Sequence, residues 1–241
     1  MINTILFDLD GTLLPMDNEV FTKGYFKGLA GKLAQLGYEP QHLIKTVWGG
    51  TAAMVKNDGT RPNMDCFWET FAALNADVFK PEHMAITDSF YTNEFRSVKS
   101  CTGENPLAKP LIEALKKDGY TVVLATNPLF PKAGIETRLS WIGLTCDDFT
   151  LVTTYENMHF CKPNPKYYTE ILDMIGKKPE ECLMVGNNTD EDCAAATVAG
   201  LKTVLVTDCL INESCTPIAT YRNTTFEELH NTILRTVKEQ K

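Results

Sequence analysis

No pair of the eight cysteines (Cys66, Cys101, Cys146, Cys161, Cys182, Cys193, Cys209 and Cys215) has a C-x-x-C spacing. The four histidines (His42, His83, His159 and His230) show no metal-ligand spacing either. A zinc framework is therefore excluded, and the chain is long for a disulfide-stapled scaffold. The expectation is reduced thiols in a cytoplasm, used as apolar filler. No apolar run approaches the ~18 residues of a membrane span. The opening MINTILFDLD, with two aspartates by residue 10, is expected to be neither a signal peptide nor a membrane anchor. Positive charge is in deficit, 23 Lys and Arg against 31 Asp and Glu, a formal net charge of −8. That argues against a broad nucleic-acid-binding face, which needs clustered cations. It does not exclude phosphate binding by a few convergent groups. Glycine-rich loops of the P-loop or dinucleotide-binding kind are absent, as are internal repeats and low-complexity tails.

What the chain does have is material for a buried core. Its 241 residues are 44% hydrophobic and 22% charged, a profile of a globular domain with room for an insert. Thr4 to Phe7 is a short apolar run that breaks abruptly into Asp8-Leu9-Asp10-Gly11-Thr12. Such a run reads as a buried strand delivering polar groups to a loop. The pattern recurs at Tyr120 to Ala125 before Thr126-Asn127-Pro128, at Cys182 to Val185 before Gly186 to Asp192, and at Thr203 to Val206 before Thr207-Asp208. Phe149 to Thr153 is a further candidate. Between them lie helical stripes: Leu107, Leu111 and Leu115 ending near Gly119, Tyr167 to Ile175 ending at Gly176, and the alanine-rich Asp190 to Ala199 closing at Gly200. Thr225 to Lys238 reads as an amphipathic closing helix. Strands alternating with helices predict an α/β fold, a doubly wound, Rossmann-like parallel sheet. Ligands of such sheets bind beyond the carboxyl ends of the strands, where every polar cluster named above lies.

From about Asp17 to Thr102 the rhythm changes to helices without buried strands. Phe21, Tyr25, Leu29, Leu33 and Leu36 form one stripe stopping at Gly37. Asn63 is expected to cap a helix carrying Phe67, Phe71 and Leu74, and Pro81 to open another. The expected organisation is a catalytic core over residues 1–16 and 106–241, with an all-helical cap over 17–105. Hinges are expected near Leu14 to Asn18 and Ser97 to Pro106. Trp48-Gly49-Gly50-Thr51 reads as a flexible stretch facing the site, with Lys56 and Arg61 as candidate anion contacts.

Asp8 and Asp10 carry the first chemical signal. Two neighbouring carboxylates repel, so their site calls for a cation or a shared proton. Magnesium, which takes oxygen ligands, would supply the cation. Half a calcium loop has the same opening, but LLPMD follows where further oxygens and a late glutamate are needed. A bare D-x-D is often only a turn or capping pair.

The wider text weighs against that bland reading. FDLDGTL at the end of the first strand resembles the first motif of the haloacid dehalogenase-like hydrolases. Thr126-Asn127 resembles the second, Lys162 in C-K-P-N-P-K-Y the third, and Gly186-Asn187-Asn188-Thr189-Asp190-Glu191-Asp192 the fourth. The resemblance covers nearly the whole chain and points to the phosphatase branch, phosphoglycolate phosphatase-like, with a helical cap of the first type. It implies that Asp8 is the nucleophile, forming an aspartyl-phosphate, and that Asp10 is the general acid/base. Thr126 and Asn127 would bind phosphate, and Lys162 would neutralise it and orient Asp8. Mg2+ would be held by Asp8, the Asp10 carbonyl and Asn187, with Asn188 as a spare and Asp192 acting around the metal or holding the lysine. The usual fourth motif has an aspartate where this chain has Asn187, so the ligand lacks a charge. Asp10 favours phosphoryl chemistry over dehalogenation, which needs no second acid. The expected function is magnesium-dependent hydrolysis of a small phosphorylated metabolite. The alternatives are a phosphomutase acting on a sugar phosphate and a catalytically weakened phosphate-binding protein.

Overall fold

The computed structural model describes residues 1–239. Six strands, β1 (Thr4–Phe7), β2 (Thr121–Leu124), β3 (Leu151–Val152), β4 (Cys182–Gly186), β5 (Lys202–Val206) and β6 (Arg222–Thr224), form one sheet in the order β3-β2-β1-β4-β5-β6. All neighbours are parallel, with Phe7 opposite Leu124 on one side and Val185 on the other. The predicted doubly wound α/β sheet is borne out. Both faces of its central strands are covered, which is why they read as unbroken apolar runs.

Alternation along the strands divides the core in two. Ile5 and Phe7 join Val122, Leu124, Leu183 and Val185 on one face. Helices α5 (Ala108–Lys117) and α9 (Leu229–Lys238) pack there through Leu111, Leu115, Leu229 and Ile233. Leu6, Val123 and Met184 join the other face, covered by α7 (Lys166–Ile175) and α8 (Ala195–Val198) through Tyr167, Ile171 and Ala196. From β1 the chain winds outward through β2 and β3, then returns to β4 and winds the opposite way. The topological switch point thus lies between β1 and β4, where crossovers diverge and leave a crevice.

Between β1 and β2 run α1 (Asn18–Leu33), α2 (Pro40–Val55), α3 (Asn63–Leu74) and α4 (Glu82–Thr92). The side chain of Asp17 caps α1, accepting from the N–H groups of Glu19 and Val20 at 2.9 and 3.0 Å. These helices pack through aromatics, with the Tyr25 and Tyr91 hydroxyls 2.9 Å apart beside Phe90 and Phe95. The two chain crossings into this helical unit lie side by side. Met16 bridges Thr102, and the Gly103 N–H donates to the Pro15 carbonyl at 2.7 Å.

Several local expectations are corrected. Trp48 to Thr51 belongs to α2, because Gly50 gives close approach to the Phe67 ring rather than flexibility. Asn63 does not cap α3; Pro62 holds that position, and the buried Asn63 amide donates to Cys161 Sγ. The helix after β4 opens with a π-helical turn over Thr189–Ala194, a feature often found at functional sites. Strand β6 and helix α6 (Lys132–Trp141) are additions to the elements expected from the sequence.

Candidate active site

Four loops at the carboxyl ends of β1, β2, β3 and β4 converge at the switch point. Asp8 directly follows β1, and its N–H donates to the Val185 carbonyl of β4 at 2.9 Å. That bond continues the ladder one residue past the strand and aims the buried carboxylate at the crevice. Lys162, on the loop leading to α7, donates from Nζ to Asp8 Oδ1 at 2.9 Å and to Asp192 Oδ1 at 2.6 Å. Asp192 Oδ2 accepts from the Asn188 N–H at 3.0 Å, which fixes its orientation. Burial pulls the Lys162 ammonium down, but the carboxylates of Asp192 and Asp8 outweigh it and hold it well above its usual value. Lys162 is therefore a fixed positive charge beside Asp8.

Two glycines make the approach possible. A Cβ on Gly11, whose φ is +85°, would lie 2.3 Å from the Asn187 amide nitrogen. A Cβ on Gly186 would lie 2.2 Å from the Asp192 carboxylate. A side chain at Gly11 would push the β1 loop away from Asn187, and one at Gly186 would displace the Asp192 carboxylate that Lys162 pairs with.

Asn187 is buried, its Nδ2 donating to the Cys209 carbonyl at 2.6 Å. The Thr12 hydroxyl lies 3.0 Å from Asn187 Oδ1 and 3.3 Å from Asp8 Oδ2. Its single proton serves one acceptor at a time, so Asn187 Oδ1 keeps a free lone pair. Asn188 is turned elsewhere. Its Oδ1 accepts from the N–H groups of Asp190 and Glu191 at 2.9 and 3.1 Å, capping the π-helical turn. The spare-ligand role therefore falls away, because its only side-chain carbonyl oxygen is already engaged.

Thr126 follows β2, and its carbonyl is pinned by the hydroxyls of Thr153 and Tyr167 at 2.7 and 2.8 Å. Among the described residues, neither the Thr126 hydroxyl nor the Asn127 N–H has a hydrogen-bond partner. Both are thus available to an anion. The Asn127 side chain acts differently: Oδ1 accepts from the Lys162 N–H at 3.2 Å, and Nδ2 donates to Glu191 Oε2 at 3.1 Å. It clips the second loop to the third and fourth.

Asp10 has a partner that the sequence does not reveal. Arg138, wholly buried on α6, pairs through Nη1 with Asp10 Oδ2 and stacks its guanidinium 4.3 Å from the Phe130 ring centroid. Asp10 Oδ1 is buried without a hydrogen-bond partner among the described residues, as is Arg138 Nη2. Burial pushes the Asp10 carboxyl above its usual value, against the pull of Arg138. Thr12 and Glu191 also join the site without having been expected there, although D-G-T places Thr12 beside the aspartates. Burial likewise raises Glu191. Arg138 left no signal, because a single arginine in an unremarkable segment normally reads as surface.

Among the described residues, no three His, Cys, Asp or Glu side chains converge as a ready-made metal cage. The donor chemistry still fits a hard cation. Asp8, Asp10, Glu191 and Asp192 set four carboxylates against two cations, Lys162 and Arg138, leaving two charges uncompensated when all are ionised. The orphaned Asp10 Oδ1 and the half-used Asn187 Oδ1 are oxygen donors of the kind magnesium takes. The site opens into a cavity of about 360 Å³ running from Asp8 and Asp10 up to α1, α2 and α3.

A buried aspartate at a switch point, paired with a buried lysine and followed two residues later by a second aspartate, is an arrangement suited to hydrolysis on a doubly wound sheet. The family model of the haloacid dehalogenase-like hydrolases matches residues 2–200, and the chain belongs to that family. The relatives bear out the expected phosphatase branch. The chain is 27% identical over 206 residues to the pyrophosphatase PpaX of Bacillus cereus, spanning 85% of this chain and 83% of that one. It is 28% identical over 207 residues to a phosphoglycolate phosphatase of Aquifex aeolicus, spanning 85% and 84%. Among solved structures, an HAD phosphatase from Thermococcus onnurineus aligns with a TM-score of 0.62 at 20% identity, covering 96% of this chain and 98% of that one. A 2-haloacid dehalogenase from Pseudomonas syringae aligns with a TM-score of 0.62 at 18% identity, covering 98% and 99%. At that identity these two likenesses show the fold alone.

Proposed function

We propose that this enzyme is a magnesium-dependent hydrolase of small phosphomonoesters that works through an aspartyl-phosphate on Asp8. The observation that carries the reading is the Asp8–Lys162 pair, with Asp10 two residues on and the unpartnered Thr126 hydroxyl opposite. An Asp8 oxygen attacks phosphorus and the bond to the ester oxygen breaks, while Asp10 gives that oxygen its proton. The alcohol leaves. Asp10 then takes a proton from water as the water oxygen attacks the same phosphorus, returning Asp8 and releasing phosphate. The Thr126 hydroxyl and Asn127 N–H donate to the phosphoryl oxygens, and Lys162 offsets charge on Asp8 and phosphate alike. Asp8, the Asp10 carbonyl and Asn187 would hold magnesium, which when bound neutralises charge on the transferring group. Arg138 holds Asp10 in place by its buried pairing.

Residues 17–105 form the cap in this reading, and the paired crossings at Met16–Thr102 are its hinge. Closure over the site would exclude bulk water. The eight free thiols support a cytoplasmic setting.

The test is phosphate release from a panel of phosphomonoesters, with and without magnesium, by wild type and Asp8→Asn. Metal-dependent turnover that falls to background in a folded Asp8→Asn preparation is the expected result. Turnover that survives the substitution would overturn the mechanism.

A further inference from the structure

The walls of the cavity above the nucleophile come mainly from the helical unit, with Leu129, Phe130, Pro131, Tyr155 and Ile211 of the core, and are more apolar than polar. Phe21, Phe26 and Leu29 of α1, Trp48 of α2, and Phe67 and Phe71 of α3 line it. The helical unit's polar contributions to it are uncharged: Asn18, Thr22, Thr51 and Thr87, with the hydroxyls of Tyr25 and Tyr91 bonded to each other. No lysine, arginine or histidine lines the cavity among the described residues, and its ionisable lining carboxyls are Asp8, Asp10, Glu191 and Asp192. The two nearest cations are occupied: Lys162 by Asp8 and Asp192, Arg138 by Asp10. The cap cations that the sequence offered do not enter it. Arg61 pairs with Glu69 on the outside, and Lys56 is exposed.

A substrate carrying a second anion would therefore set that anion among aromatic rings, carboxylates and a few neutral hydroxyl and amide groups, with no cation to offset its charge. An apolar group would gain contact with the rings of α1, α2 and α3. Trp48 supports the second case: it lines the cavity and is 51% exposed, so its ring has apolar surface free to meet an occupant.

Resting on the phosphohydrolase reading above, we propose that the alcohol released by this site is uncharged and largely apolar, an arylalkyl or branched alkyl group. On this inference, esters bearing a carboxylate or a second phosphate are poor substrates. Chemically, the substrate is then supplied by phosphorylation of an apolar alcohol, and the product is that alcohol.

The experiment compares kcat/KM for 2-phenylethyl phosphate, glycerol phosphate, phosphoglycolate and pyrophosphate. The first has an ordinary alkoxide leaving group, so a preference for it reports binding rather than leaving-group reactivity. Binding of 2-phenylethyl phosphate to Asp8→Asn is followed separately by the fluorescence of Trp48 and Trp68, both at the cavity. The expected result is at least about a tenfold preference for the phenylethyl ester over the two anionic ones. Trp48→Ala should lower its kcat/KM about tenfold, chiefly through KM, with the glycerol ester little changed. Thr51→Lys should invert the order by raising kcat/KM for phosphoglycolate about tenfold. Hydrolysis that favours phosphoglycolate or pyrophosphate in the wild type would overturn this inference and leave the phosphohydrolase standing. Saturable fluorescence quenching without turnover of any ester would overturn the phosphohydrolase and leave the apolar site standing. Turnover with no quenching and no effect of Trp48→Ala would also overturn the inference.

Discussion

The guanidinium of Arg138, on α6, is paired with the carboxylate of Asp10, 128 residues earlier in the chain and two residues beyond Asp8. Arg138 has no solvent exposure, and its other terminal nitrogen is without a partner among the described residues. Each member of this pair is the principal electrostatic compensation of the other. Breaking a buried pair from one side leaves a bare charge, whereas removing both sides does not.

Arg138→Met and Asp10→Asn are each expected to lower unfolding free energy by about 3 kcal/mol. The double variant should recover at least half of that loss, measured by urea unfolding of the three proteins. Activity should follow a different pattern and be absent from the double variant too. Simple additivity of the two stability losses would show that the pair is not coupled.

Asp10→Asn is further expected to reduce kcat by about 10²–10⁴-fold on alkyl phosphates. On an ester with a good leaving group, such as p-nitrophenyl phosphate, the loss in the first step should be much smaller, because that oxygen departs without a proton. Burst kinetics with both esters would measure it. An equal loss on both would assign Asp10 a role other than proton transfer to the leaving group.

Asn187→Asp should move two quantities in opposite directions. The added charge beside Asp8 should lower the magnesium concentration for half-maximal activity by about tenfold. The same change replaces the Nδ2 donor, 2.6 Å from the Cys209 carbonyl, with an oxygen that repels it. The metal-free variant should accordingly be less stable by about 1–3 kcal/mol, with magnesium restoring most of the difference. Magnesium titration of activity and of thermal unfolding checks both halves.

Thiol behaviour offers a test of the fold away from the site. Burial pushes the Cys182 thiol up to about 11 and the Cys193 thiol up to about 12, from an ordinary 9.0. At pH 8 both are protonated and shielded, while Cys215 is exposed. Iodoacetamide should therefore modify Cys215 first, and Cys182 and Cys193 only after unfolding, as peptide mapping would show. Above pH 9.0 the unfolded chain ionises these thiols while the folded chain keeps their protons, so stability should fall as pH rises from about 9 toward 11. Early labelling of Cys193 in native protein would contradict its burial beneath the sheet.

Local sequence determined what local physics governs. TILF must be buried on both faces, so the polar residues after it, Asp8 through Thr12, must stand at a strand end. The same holds for Thr126 after β2 and for the glycine and asparagines after β4, so the sheet and most candidate site residues were legible. Where local signals were weak or misleading, reading failed. Strand β6 is Arg-Asn-Thr at a sheet edge, mostly exposed, with no apolar pattern to mark it. In α6 the buried face includes Gly134, Thr137 and Arg138, which carry no hydrophobic stripe. In α2, Gly49 and Gly50 mimic a loop, yet they are the small residues that let Phe67 and Leu74 pack close. Only tertiary structure brought Lys162 to Asp8 across 154 residues and Arg138 to Asp10 across 128. It also showed that the helical unit lines the cavity above Asp8 with rings and neutral groups, not cations. A charge acquires its partner and a ring its cavity through packing of distant segments, and neither is encoded in the few residues around it.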